Sequence, residues 1–405
     1  MKHIFKPQYI TLALMTFVII FGATVPEPIA QGAYTLSLLI KEFLMWVLPV
    51  AVMFYIAFTL SQFREKAFPL VITLLIFEAL SNALSVNYAW GVGSILEETF
   101  RSTFSHAAME EPQSLIPFFN LSNLRPSFWA ASKGTYIGLG LGLLLALFPL
   151  SRLQQALEKG KAGVDFIFQK IFTRIVPLFV LGFLLNIQKG GHVESLWASY
   201  GISVLWIIGA ILVYLVLLYL ISSGFCVKTM GTQLKNTLPT GLIACTSASS
   251  AATMPFTIDA AKKNTRDPDF AAMVIPATTH IQQIGDCIAN ALFGIALMLN
   301  HGLPFPEVEQ WVPFMVLFVL ARYTTAAVMG GAIFIVLPLF ETYLGFSAEM
   351  LALLMAFNVI MDPIITSSNV LANGSLCITF EKVWGLFQRK TGSRSFPQQE
   401  KSVNI

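Results

Sequence analysis

The chain is 405 residues long, 56% hydrophobic and 12% charged, with a mean hydropathy of +0.71. A soluble domain carries roughly 25% charged residues, so half the usual charge is missing and a soluble globular protein is excluded. The formal net charge of +3 says nothing for nucleic acid, and the basic residues are read for topology instead.

Several apolar runs reach the roughly 20 residues that cross a bilayer. The first, Tyr9 to Val25, follows Lys2 and Lys6. Basic-then-apolar order also marks a signal peptide, but no A-x-A-like site closes this run and more spans follow, so it reads as a first membrane helix. Eight spans are predicted at 8–26, 37–61, 67–92, 132–150, 166–187, 193–222, 268–299 and 348–383. Arg64 and Lys66 follow the second span, Arg152, Lys159 and Lys161 the fourth, and Lys228 and Lys235 the sixth. Lys382, Arg389, Lys390, Arg394 and Lys401 lie in the tail. Even-numbered spans therefore end in the cytoplasm, and both termini lie there. The opposite loops "PEPIAQGAY" and "NHGLPFPEVEQ" have no Lys or Arg, while the loop from about 93 to 131 is mixed. Cys226, Cys245, Cys287 and Cys377 show no paired spacing and read as small buried hydrophobes.

Two apolar segments, about 226–258 and 308–341, are too long for loops. The first is entered and left on the basic side; the second is entered and left on the side without basic residues. Each goes in and returns, so they are predicted as re-entrant hairpins from opposite faces with tips meeting near the midplane. The tips are "TSASSAATMP", from Thr246, and "TTAAVMGGA", Thr324 to Ala332. Small and hydroxylic residues suit such turns, because backbone freed from a helix must be satisfied inside protein or beside a wet cavity. Amides at a helix end also bind anions. A hairpin followed by a span, then the same unit inverted, is an inverted repeat, and secondary transporters place substrate at such interfaces.

Ionisable groups at membrane depth default to function. His280, Asp286, Arg322 and Asp362 are the candidates, and Asp362, Thr366, Asn369 and Asn373 share one helix face at spacings of four, three and four. The plainer readings stand beside these. The stripe can be interhelical hydrogen bonding, at about 0.6 kcal/mol per contact. His280 can be a packed neutral ring, and Asp286 and Arg322 can pair with each other or with Asp362. Lys41 and Glu42 read as interfacial, and the sequence does not decide for Glu78 in the third span.

With these residues in place, the chain resembles the dicarboxylate/amino-acid:cation symporters, which include the glutamate transporters. "SSAATMPFT" (Ser249 to Thr257) is similar to the family's tip S-S-S-[AG]-T-L-P-x-T. "DPIITSSNVLAN" keeps Asp362, Thr366, Asn369 and Val370 of the family's D-x-x-[RTC]-T-x-x-N-V-x-G-D. The resemblance implies that Asp362 holds a substrate ammonium, and that Asn369 and the amides of Ser249 and Ser250 hold its α-carboxylate. It implies a second tip acting as gate, with Val328 and Gly330 opposite the substrate. It further implies a homotrimer in which a transport domain moves against a scaffold. The scaffold is 1–62 and 132–190, the transport domain 63–93 and 191–385, with an extracytoplasmic loop at 94–131 and a cytoplasmic tail at 386–405.

The departures carry information too. Ile365 stands where acidic-substrate members have arginine, which removes the fork for a second carboxylate. The seventh-span motif N-M-D-G-T is replaced by "HIQQIG", with Gln282 for its aspartate, and Asn358 and Asn373 stand where the family has acids. Three lost carboxylates weigh against the usual sodium sites, since a hard cation prefers charged oxygen. Thr325 and unwound carbonyls are left for one weaker site. A proton carried by His280 or Asp286 is the favoured replacement. Two substrates stay open: a neutral amino acid beside Ile365, or an acid whose second carboxylate meets Arg322. An intramembrane protease built on Ser250, His280 and Asp286 lacks a G-x-S-x-G elbow. An anion channel and a transport-inactive sensor are competing classes for the same layout. The expectation is an all-α polytopic protein of the plasma (inner) membrane, a symporter with no cofactor, driven by protons rather than sodium.

Overall fold

The computed structural model describes residues 13–14, 16–18, 20–61, 68–102, 115–119, 126, 129, 131–148, 150–189, 193–247, 249–325 and 332–391, and every regular element among them is helical. A short 3-10 turn, Gly22–Thr24, precedes α1 (Glu27–Ser61). Then follow α2 (Phe68–Ile95), α3 (Glu97–Ser102), α4 (Ala131–Leu147), α5 (Ser151–Phe166), a π-helical turn (Ile167–Phe172) and α6 (Thr173–Lys189). The second half holds α7 (Val193–Ser222), α8 (Val227–Ser247), α9 (Ser250–Asn264), α10 (Pro268–Thr278) and α11 (Ile284–Asn300). It ends with α12 (Val308–Thr325), α13 (Ala332–Leu344) and α14 (Ala348–Thr391). Residues 8–12, 15 and 19 of the first predicted span lie outside the described residues.

Two described helices, Ile72–Ile95 and Tyr200–Ser222, are long and apolar enough to cross a membrane. A bent pair, Ala348–Asn358 with Ile360–Gln388, adds a third if it counts as one span. The second of these helices is apolar on all sides, as in a membrane span or a buried helix. Leu205 on it is 70% exposed, which suits lipid and not water.

Several boundaries differ from the sequence expectation, each for a physical reason. The helix α1 starts at Glu27, ten residues before the second predicted span, because Pro28 fits a first turn and Glu27 complements the helix dipole. The seventh predicted span is two helices, α10 and α11, with a break at 279–283. The last bends by 59° near residue 359. Pro363 removes the N–H that would bond the carbonyl of residue 359, so the bend falls where the ladder is missing. Each predicted hairpin is a packed helix pair, α8 with α9 and α12 with α13. The second tip, 326–331, lies outside the described residues.

α1 packs on α4, α5 and α6. Glycine permits this closeness: a Cβ on Gly134 would collide with the Pro49 carbonyl oxygen, and one on Gly182 with that of Ala33. Small residues at such crossings let backbones of membrane helices approach. A second packed group is α2 with α7 to α11 and α14, and α12 touches both α1 and α2.

Candidate functional site

The break between α10 and α11 frees backbone that must find partners inside the protein. Asn82, on α2, supplies them. Its Nδ2 donates to the Ile281 carbonyl at 3.0 Å, and its Oδ1 accepts from the Gln283 amide at 3.2 Å. One side chain thus stands in for two lost helical bonds. Sequence reading missed Asn82, although Leu70, Leu74, Glu78, Asn82 and Val86 recur every four residues on one buried face.

Asn369 of α14 closes the other side of the break. Its Oδ1 accepts from the Gly285 amide at the start of α11, and its Nδ2 donates to Asp286 Oδ2, both at 2.8 Å. Asp286 sits in the first turn of that helix, where the dipole favours an anion. Gly285 is required there: a Cβ would stand 2.7 Å from the Ile365 carbonyl and 3.0 Å from Asn369 Oδ1.

Arg322, near the end of α12, is wholly buried. Its Nη1 donates to Gln283 Oε1 at 3.1 Å and lies 3.5 Å from Asp286 Oδ1. Its guanidinium carbon stands 4.3 Å from the centre of the Phe318 ring, a cation–π distance. Of the pairings left open by the sequence, the structure takes Arg322 with Asp286.

Asp362 lies close enough to Asp286 for the two carboxylates to feel each other, and its Oδ1 accepts from Thr366 at 3.3 Å. With both carboxylates ionised, two against one guanidinium leave one net negative charge. Such a site attracts an ammonium group or a proton. Arg322 is held in this cluster through Nη1, by Gln283 and Asp286.

The remaining predicted residues fall in three places. His280, half-buried, and Gln282, 1% exposed, lie in the break. Neither polar atom of the Gln282 amide has a partner among the described residues. Asn373 and Asn358 are engaged between helices: Asn373 Oδ1 accepts from Thr278 at 2.7 Å, and Asn358 Nδ2 donates to Asn290 Oδ1 at 2.9 Å. Ser249 and Ser250 stand half-buried at the junction of α8 and α9, and α9 packs on α14. Ile365 is buried. Val328 and Gly330 lie outside the described residues, as does the side chain of Thr325.

A helical membrane protein with broken helices around a buried carboxylate cluster has the form of a secondary transporter. The model of the sodium:dicarboxylate symporter family matches residues 9–383, and the chain belongs to that family. Its members are cation-coupled transporters rather than enzymes. The chain is also similar to the serine/threonine transporter SstT of Acinetobacter baumannii strains AYE and AB307-0294. Each is 22% identical over 292 residues, covering 69% of this chain and 72% of the relative.

Proposed function

We propose that the protein is a symporter for a small neutral amino acid, driven by a cation gradient with protons favoured over sodium. The observation that carries this reading is the commitment of Arg322 to Asp286 and Gln283, beside a buried Ile365. With Arg322 so engaged, an acidic substrate meets net negative charge. A neutral amino acid brings one ammonium to Asp362, and its carboxylate goes to the amides at Ser249 and Ser250. The similarity to a serine/threonine transporter supports the same substrate class.

Proton coupling is supported by the neutral residues Gln282, Asn358 and Asn373, the last two already bonded between helices. The cycle is an elevator: spans three, six, seven and eight move with both helix pairs, 63–93 and 191–385, against the scaffold of 1–62 and 132–190. The assembly is a homotrimer with cytoplasmic termini, and the second tip, with Val328, Gly330 and Thr325, gates the outer side.

The test is uptake by proteoliposomes. L-Serine, L-threonine and L-alanine should accumulate under an inward proton gradient, L-aspartate and succinate should not, and Asp362→Ala should accumulate nothing while unfolding normally in detergent. Accumulation of aspartate or succinate would return Arg322 to the substrate. Current without accumulation would make the protein a channel, and binding without either a sensor.

A further inference from the structure

The third predicted span carries a carboxyl that the site above leaves unused. Glu78 is 2% exposed, and its Oε2 has no hydrogen-bond or ionic partner among the described residues. It belongs to the buried face of α2. One turn before it, Leu74 packs in an apolar cluster with Val274, Ile275 and Phe380; one turn after it, Asn82 bridges the break in the seventh span.

The described groups around Glu78 offer no counter-charge. Tyr323 of α12 and Cys377 of α14 stand close enough to sense a charge on it, and Tyr323 donates its hydroxyl to the Leu75 carbonyl at 2.6 Å. Cys287 of α11 lies beside Tyr323. All three are neutral acids. Arg322, the neighbour of Tyr323, is held by Asp286 instead. A buried carboxylate without a cation is strongly disfavoured, and a group so placed takes up a proton rather than ionise.

We infer that Glu78 is the proton-carrying group of the transport cycle, neutral while buried and ionised when the cycle opens it to water. The step moves one proton between water and a carboxylate oxygen, and only an O–H bond forms or breaks. This rests on the symport reading above and changes its carrier: Asp286 keeps its arginine, and the carboxyl one turn from the Asn82 bridge carries the proton.

The experiment uses the full chain in proteoliposomes, with L-serine as probe. Glu78→Gln mimics the neutral acid. It should keep serine–serine exchange and lose accumulation driven by a pH gradient. Infrared difference spectra between mildly acid and alkaline pH should show a carboxylic C=O band that Glu78→Gln removes and Glu78→Asp shifts. Undiminished pH-driven accumulation by Glu78→Gln, as expected if His280 carries the proton, overturns the inference. So does a carboxylic band unaffected by both substitutions, or serine accumulation indifferent to pH in the unmodified protein. Absence of any serine exchange or uptake in the unmodified protein counts against the symport reading instead, and the infrared bands still decide whether Glu78 binds a proton. Should Glu78→Gln fail to fold, the band shift in Glu78→Asp decides.

Discussion

At the scale of single residues, the site turns on one buried ion pair. Arg322 and Asp286 are both withdrawn from water; Nη1 of Arg322 meets Asp286 and Gln283, and Asp286 accepts from Asn369. Removing one partner leaves an uncompensated buried charge, a loss of about 3–5 kcal/mol, whereas replacing both by neutral residues is often close to neutral. Arg322→Met should therefore lower the unfolding midpoint in detergent sharply, and adding Asp286→Asn should restore most of it. A single variant as stable as the parent would show that the pair is not desolvated. The candidates Asp286, Arg322, Asp362 and Thr366 were legible in the sequence because ionisable groups in apolar runs stand out. Their pairing stayed open between two alternatives, because it joins positions in separate helices that no local pattern relates. For the same reason Asn369, placed by resemblance on a substrate carboxylate, proves to have both amide atoms engaged at the start of α11.

At the scale of elements, the sequence placed the break between α8 and α9, inside "TSASSAATMP", but not the one in the seventh predicted span. The break at 279–283 contains neither glycine nor proline, and it depends on a side chain 199 residues earlier in the chain. Local propensity cannot reveal a helix interruption stabilised from that distance. The bend in the last helix was easier, since Pro363 marks a missing bond four residues upstream. The role of Asn82 makes a second prediction. Asn82→Ala leaves the Ile281 carbonyl and the Gln283 amide buried without partners, at roughly 1–3 kcal/mol for each such group. It should lower stability in detergent. It should also raise amide hydrogen exchange at 281–283 while leaving exchange in α7 unchanged. A uniform rise across both regions would show that Asn82 supports the whole fold and not the break.

At the scale of the whole molecule, the two packed groups meet through few polar contacts among the described residues, and one is informative. Asn186, near the end of α6, accepts at Oδ1 from the Leu115 amide at 2.7 Å and donates through Nδ2 to Glu349 Oε1, in the first turn of α14, at 2.8 Å. Glu349 therefore ties the mobile part of the proposed elevator to its scaffold, on the side opposite the basic loops. If α14 travels past α6 in each cycle, this bond must break and reform each time. Cysteines at both positions, joined by a short bifunctional thiol reagent, should stop serine accumulation, and a cleavable form of the reagent should restore it on reduction. The parent protein, with its exposed Cys226, is the control for reaction at native thiols. Full transport by the joined protein would mean that α6 and α14 keep their relation throughout, and that access alternates by movement of the helix pairs alone.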